Sequence, residues 1–243
     1  MDWRRDCAAI IPCKDEAATI GTLVEEVLKI VACVIVVDDG SSDSTGRIAA
    51  RSGATVLRRD GHPGKGAALR AGLRHSQDQG FRWALTMDGD GQHSPSDLPR
   101  LLRAAEGMAD PSLLIGNRMN NSQEMPWQRR ATNRVMSWIL TKLTSRDLPD
   151  TQCGLRLLNL EKAMGLGLRS SSFQIESEML ISFLAAGNEV AFVPIQTLYK
   201  LGRSKIRPFR DSILWFRWLF SAREQLAHIR RNKPLQAASS IAG

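Results

Sequence analysis

VIVVDDGSSDST, residues 34–45, runs from four β-branched residues through an acid pair into small polar residues of the kind that cap a helix. This unit of strand, acidic turn and helix recurs through the first half of the chain. CAAIIP at 7–12, ATVLRR at 54–59 and WALTMD at 83–88 read as further strands, and helices are expected near 17–31, 43–52, 65–79 and 95–107. Strands alternating with helices imply right-handed crossovers and a mostly parallel central sheet flanked by helices, hence an α/β fold. Ligands of such sheets bind beyond the carboxyl ends of the strands. Two of these strands end in acid clusters, VIVVDDGSSDST and LTMDGDGQH from Leu85. Acids crowded at one edge repel, so a cation or a donor-rich ligand is expected to compensate them.

Beyond about residue 110 the repeat weakens. SLLIGNR reads as one more strand, followed by a basic helical segment MPWQRRATNRVMSWILTKL, a turn RDLPDTQCG and a helix around 175–187. A chain of 243 residues, 43% hydrophobic and 24% charged, is long and apolar enough for one α/β domain with a substantial core. The apolar run in MDWRRDCAAIIPCKDEA is about four residues long and broken by Pro12 and Lys14, unlike a signal h-region, so a cytoplasmic protein is expected. No stretch approaches the roughly 20 apolar residues of a membrane span, which leaves peripheral contact as the expected mode of any membrane association. Cys7, Cys13, Cys33 and Cys153 form neither a C-x-x-C pair nor a zinc-spaced set with histidine and are expected to be reduced.

Asp88-Gly-Asp90-Gly-Gln92-His93 follows an apolar strand directly, and its glycines let the backbone bend closely around a ligand. Hard oxygen ligands two residues apart suit Mg²⁺ or Mn²⁺. A plain turn rich in Asp and Gly is the alternative, and the remaining ligands of an EF-hand calcium loop are missing. At the end of the second strand, Asp39 could accept a hydrogen bond from a nucleotide base; the alternative, a capping box with both acids solvated, explains Asp43 well but an acid pair at a strand end poorly. Gly61-His62-Pro63-Gly64-Lys65-Gly66 fails the phosphate-loop pattern in spacing and in its final hydroxyl. Lys65 can nevertheless reach a nucleotide from this turn, a simple helix start being the other reading. Arg118, Arg129, Arg130, Arg134 and Lys205 supply charges that could clamp a second anion; each could equally lie on a solvated helix face. Glu176 and Glu178 fit a catalytic base or a structural ion pair.

The net charge of +8 is concentrated at one end: Tyr199 to Pro234 holds ten Lys/Arg against two Asp/Glu, which accounts for all of it. SILWFRWLFSAREQLAHIRRNK sets Trp215, Phe216, Trp218, Leu219 and Phe220 among Arg217, Arg223, Arg230 and Arg231. That pattern suits an interfacial helix at an anionic membrane surface, or else a core-packing helix with a basic outer face. No nucleic-acid recognition module accompanies the charge, so no nucleic-acid partner is expected.

The ordered set IPCKDEAATI, VIVVDDGSSDST, GKGAALRAGL, MDGDGQH, GNR, DTQCGLRLL, FQIESEML and GRSKI resembles family 2 glycosyltransferases of GT-A fold, in the dolichyl-phosphate mannose and glucose synthase branch. The resemblance covers residues 7 to 220. It implies an inverting enzyme that moves a hexosyl group from a nucleotide sugar, of the UDP-glucose or GDP-mannose type, to a polyprenyl phosphate. It further implies that Pro12, Glu16 and Asp39 line the nucleotide site and that Asp88, Asp90 and Gln92 hold the metal and donor diphosphate. Arg118, Arg129 and Lys205 fall where that branch contacts acceptor or donor phosphates. The chain departs from the branch at Asp15, where Asn is usual, and at Asn133, where a hydroxyl is often found. Many members carry C-terminal transmembrane helices; here the aromatic, basic C-terminus is the expected substitute.

The resulting layout is a GT-A domain over residues 1–210, its nucleotide-binding half about 1–116 and its acceptor-side half about 117–210. A basic aromatic helix at 211–233 and a flexible tail at 234–243 follow. If the acceptor were a hydroxyl of another lipid or glycan, a base would be needed, and Glu176 or Asp150 is placed to serve. A nonenzymatic nucleotide-sugar or membrane-binding protein of the same fold is the remaining alternative.

Overall fold

The computed structural model describes residues 2–60, 64–196 and 208–231. Within them one sheet contains β1 Cys7–Cys13, β2 Cys33–Asp38, β3 Thr55–Arg58, β4 Trp83–Thr86, β5 Pro111–Asn117, β6 Arg156–Asn159 and β7 Glu189–Pro194, in the order β3-β2-β1-β4-β6-β5-β7. The helices are α1 Trp3–Asp6, α2 Ile20–Leu28, α3 Thr45–Arg51, α4 Lys65–Asp78, α5 Leu98–Glu106, α6 Trp127–Thr144, α7 Leu160–Gly165, α8 Ile175–Ala185, α9 Pro208–Ser221 and α10 Arg223–Arg231.

The central strands are covered on both faces, which is why they read as continuous apolar runs rather than alternating ones. Ile10, Ile11, Ile35, Val36, Val37 and Leu85 have no measurable solvent exposure. α2 and α3 pack together beside β2, and α4 packs on β1 and β2 and touches α7 and α8. α4 sits close because Gly72 faces the sheet: a Cβ there would fall 2.4 Å from Ile10 Cγ2.

β1, β2 and β3 step outward in one direction, after which α4 carries the chain back to β4 on the other side of β1. The reversal makes the β1–β4 boundary the topological switch point, where a crevice is expected. Pro12 helps to open it. Met87 N donates to Ile10 O at 3.2 Å, so by strand alternation the missing N–H of Pro12 falls on the same side. That position lies beyond Ile10↔Thr86, the last registered pair of β1 with β4.

Three features differ from the sequence expectation. β6 runs antiparallel between β4 and β5, in a segment read only as turn and motif; its four residues RLLN are too short to show a period. β7 pairs parallel to β5 at the sheet edge and was not foreseen. The single helix expected over 211–233 is two helices, and α10 returns against α6 and α8 with Leu226 and Ile229 buried. The tail expected at 234–243 lies outside the described residues.

Candidate active site

The loop leaving β1 is braced on the loop leaving β2. Asp15 has φ 51°, a left-handed conformation that Asn and Asp tolerate better than most residues, so Asp can replace the usual Asn here. Its carboxylate accepts from Ser42 N at 2.7 Å and Ser42 Oγ at 3.0 Å, and these bonds, the backbone one first, hold it below the usual carboxylate pKa. Glu16 N donates to Thr45 Oγ1 at 2.8 Å, and Ala17 N donates to the Asp43 carboxylate at 3.2 Å.

The acid pair that ends β2 divides its work. Asp38 is buried and accepts from Ser41 N at 2.8 Å. A Cβ on Gly46 would come within 2.9 Å of its Oδ2, so α3 starts hard against it. Asp39 turns instead toward Arg59 and the backbone N–H of Gly64, both of which donate to its carboxylate. The nucleotide role assigned to Asp39 therefore falls on the member that faces the start of α4.

That helix start explains the GKG run. A Cβ on Gly64 would lie 2.2 Å from Ser171 O and one on Gly66 2.3 Å from Ser170 O. Glycine on both sides of Lys65 lets the chain at 170–171 cross directly over the helix end, which brings Phe173 and Glu176 to the lysine. Lys65 Nζ lies 2.5 Å from Asp88 Oδ1, 2.5 Å from Glu176 Oε1 and 5.7 Å from the centroid of the Phe173 ring. Burial alone would favour neutral Lys65, but the charges of Asp88 and Glu176 outweigh it and raise its pKa. Glu176 thus takes the ion-pair reading.

Asp88 sits at the centre of the crevice. Burial disfavours its charge, yet Lys65 and His93 outweigh burial and hold its pKa well below the usual range. His93 Nε2 is 3.5 Å from Asp88 Oδ2, while buried His93 Nδ1 has no hydrogen-bond partner among the described residues. Gly89 lets the loop lie against β1, since a Cβ would meet Cys13 Sγ at 2.4 Å, and Thr19 Oγ1 donates to Gly89 O at 2.6 Å. Gly91 takes φ 71°, a turn that glycine adopts without strain. Asp90 Oδ1 accepts from Gln92 N at 3.1 Å. Burial and then the charge of Asp88 raise the Asp90 pKa. Gln92 is buried, and its Oε1 accepts from Arg129 Nη1 at 2.7 Å.

No group of three or more His, Cys, Asp or Glu side chains forms a ready cage for a metal among the described residues. The donor set Asp88, Asp90 and Gln92 nevertheless fits a hard dication: its ligand atoms are oxygens, and burial together with the charge of Asp88 raises the pKa of Asp90. Pro12, Lys65, Thr86, Asp88, Gly154 and Glu176 line a common cavity beside this set.

Arg118 and Asp150 lie deeper. Arg118 Nε and Nη2 donate to the two carboxylate oxygens at 2.8 and 2.9 Å, Arg118 N adds a third bond at 3.0 Å, and Asn133 Nδ2 a fourth at 2.9 Å. Burial would raise the Asp150 pKa, but Arg118 outweighs it and lowers it. Asn133 thus serves the ion pair, a position at which a hydroxyl would offer one donor at most.

Of the sequence-selected residues, Pro12, Lys65, Asp88 and Glu176 converge with Asp90 and Gln92 close by; Arg129 joins them through Gln92. Asp39 and Glu16 line the neighbouring β2 side. Lys205 and the GRSKI run lie outside the described residues. Sequence reasoning missed Arg156, which is buried and donates to Cys153 O, Glu176 O and Thr151 O at 2.8, 2.6 and 3.0 Å. It therefore ties the DTQCG loop to the first turn of α8. A charged residue inside the apolar run LRLL was the available signal.

The family described as Glycosyl transferase family 2 matches residues 8–163. Polyprenol monophosphomannose synthase of Mycolicibacterium smegmatis is 30% identical, over 81% of this chain and 79% of that protein. UDP-N-acetylglucosamine–dolichyl-phosphate N-acetylglucosaminyltransferase of Methanococcus voltae is 27% identical, over 68% of this chain and 74% of that protein. Among solved structures, glucosyl-3-phosphoglycerate synthase from Mycobacterium tuberculosis, in complex with Mn²⁺, UDP-glucose and phosphoglyceric acid, superposes with a TM-score of 0.69 at 20% identity, covering 92% of this chain and 80% of that one.

Proposed function

The chain belongs to the family 2 glycosyltransferases, and on that premise we propose that it transfers a hexosyl group, with inversion, from a nucleotide sugar to a polyprenyl phosphate. The observation that carries the acceptor choice is the state of Asp150 and Glu176, the two carboxylates named above as candidate bases. Asp150 is held by Arg118 and Glu176 by Lys65, so neither stands ready to take a proton from a hydroxyl. A lipid phosphate needs little such help, because its second pKa near 6 leaves it ionised at neutral pH. The two relatives described above, named for polyprenol and dolichyl phosphate, support the same acceptor class.

Asp88, Asp90 and Gln92 would hold Mg²⁺ or Mn²⁺. When bound, the dication neutralises charge on the donor diphosphate as the nucleotide departs. Asp39 takes the nucleoside end, with Pro12 and Glu16 on the same side, and Lys65 lies where the diphosphate would meet the start of α4. Arg129, fixed to Gln92, faces the reaction centre from α6 and is the described cation best placed for the acceptor phosphate; Lys205 is proposed to join it. Arg118 acts from behind, through Asp150. A lipid-phosphate oxygen attacks the anomeric carbon while the bond to the diphosphate breaks on the opposite face, and positioning with charge neutralisation supplies the catalysis.

No helix among the described residues is long and apolar enough to cross a membrane. The acceptor's lipid tail is proposed to be met at the cytoplasmic membrane face, through α9. There Ile213, Phe216 and Phe220 are exposed while Trp215 and Trp218 are buried, which divides the aromatic segment into a core side and an outer side. α6 adds exposed Trp127 and Trp138, eleven residues apart and so on one helix face. A groove between α6 and α9, lined by Val135, Met136, Ile139, Trp215 and Phe216, joins the two surfaces.

The test is radiolabelled sugar transfer from UDP- and GDP-sugars to short polyprenyl phosphate in detergent, with Mg²⁺ or Mn²⁺ and a chelator control. Metal-dependent label in the lipid phase, lost when the free polyprenol replaces the phosphate, is the expected result. Equal transfer to the free alcohol would overturn the acceptor assignment.

A further inference from the structure

Asp88 already holds a cation, and it belongs to the protein. Lys65 Nζ stands 2.5 Å from Asp88 Oδ1 and 2.5 Å from Glu176 Oε1. Asp88 lies close against Gly154, where a Cβ would come within 2.7 Å of its other carboxylate oxygen. A dication taking Asp88 and Asp90 together would place two positive charges beside the ammonium. At such separations like charges repel strongly in a partly buried site.

Lys65 also has somewhere else to go. It is the first residue of α4, next to Gly64, whose N–H donates to Asp39. Glu176 can keep hold of the ammonium when Asp88 is released, and a diphosphate bound between Asp39 and Asp88 would offer new oxygens. Resting on the metal and donor reading above, we propose that Lys65 is an internal counter-ion that competes with the metal for Asp88 and yields it when a nucleoside diphosphate arrives. Metal binding is then conditional on the donor: the ion enters well only once Lys65 has a phosphate to neutralise. The coupling is reciprocal, as any linkage between two ligands must be.

The two glycines of GKG serve this device, because they bring Glu176 to the lysine through the crossing at Ser170 and Ser171. Without Glu176, Asp88 would be the one carboxylate among the described residues left in a salt bridge with the ammonium.

The experiment measures Mn²⁺ binding by electron paramagnetic resonance, in the absence of nucleotide and with saturating UDP or GDP, for wild type, Lys65→Met and Lys65→Arg. Circular dichroism confirms folding of each. Wild type is expected to bind Mn²⁺ weakly alone and about tenfold or more tightly with the matching nucleotide. Lys65→Met should tighten Mn²⁺ binding without nucleotide by a similar factor and shrink the nucleotide effect, whereas Lys65→Arg, which keeps the charge, should resemble wild type. Lys65→Met binding Mn²⁺ alone no better than wild type would overturn the inference while leaving the metal reading intact. No Mn²⁺ binding by any form, with either nucleotide, would overturn both.

Discussion

Arg118 and Asp150 meet through two parallel side-chain bonds of 2.8 and 2.9 Å, with Asp150 wholly buried and Arg118 nearly so. Every lone-pair direction of the carboxylate is taken, two by side-chain nitrogens of Arg118, one by its backbone and one by Asn133. Such a pair fixes geometry more than it adds stability, but breaking it leaves an uncompensated charge inside the protein.

Asp150→Asn should therefore destabilise the fold by about 3–5 kcal/mol, read from urea or thermal unfolding. The pH dependence has a definite sign. The folded-state pKa of Asp150 is lowered, so the pair's contribution is complete above the ordinary carboxylate value near 3.9 and is lost as pH falls through the folded value. Wild-type melting temperature should drop between about pH 5 and pH 2 more steeply than that of the variant. Parallel curves would contradict this account of Asp150.

Arg129→Leu removes the donor that orients Gln92 Oε1. Loss of such an outer partner typically weakens metal affinity by about 10–100-fold. Mn²⁺ titration in the presence of the preferred nucleoside diphosphate would measure it, and an unchanged affinity would place Gln92 outside the metal's ligands.

Asp90→Ala should abolish lipid-linked label in the transfer assay while leaving the unfolding midpoint unchanged or raised. The carboxylate is partly buried beside Asp88, which raises its pKa, and its removal relieves that repulsion. Substantial residual transfer would exclude Asp90 from the reaction centre.

Gly66→Ala forces a Cβ to within 2.3 Å of Ser170 O. Overpacking of this kind costs about 1–3 kcal/mol, and here it also pushes apart Lys65 and Glu176, so both melting temperature and transfer rate should fall. Gly165→Ala, where a Cβ meets nothing within 4 Å, is the matched control and should leave both intact.

Phe216→Ser and Phe220→Ser change exposed side chains, so folding should survive. If α9 docks on lipid, each removes an aromatic worth about 1.5–3 kcal/mol of burial, and flotation with anionic vesicles should fall by about tenfold or more per substitution. Undiminished flotation would move the docking surface elsewhere.

Much of this was legible in the chain itself, for a physical reason. Doubly buried parallel strands require uninterrupted apolar runs, so VIVVDD and LTMDGDGQH disclosed the sheet, and the acids that follow them marked the edge at which the candidate site lies. Lys65 could be singled out, but its partners could not: Glu176 is 111 positions away, and only the tertiary crossing at Ser170–Ser171 joins them. Arg118 and Arg129 looked alike as sequence, yet one pairs with a buried acid and the other reaches Gln92 at the crevice. β6 escaped notice because four residues flanked by partners on both sides need no periodicity of their own.

The position of β6 has a consequence for how this enzyme can be rebuilt. The function proposed above divides the chain by chemistry into a donor-binding first half and an acceptor-side second half, with the boundary near residue 116. Mechanically no such division exists. β4 and β5 both belong to the first half but do not touch as strands; β6, from the second half, is what pairs with each of them. Thr86 Oγ1 on β4 donates to Gly154 O at 2.9 Å and Gly116 N on β5 to Leu155 O at 2.9 Å, which closes the seam from both sides. Grafting a foreign acceptor half onto this donor half is therefore not a cassette exchange. It would replace an interior strand of the sheet, and acceptor specificity is better redesigned in the loops and on α6, leaving Arg156–Asn159 in place.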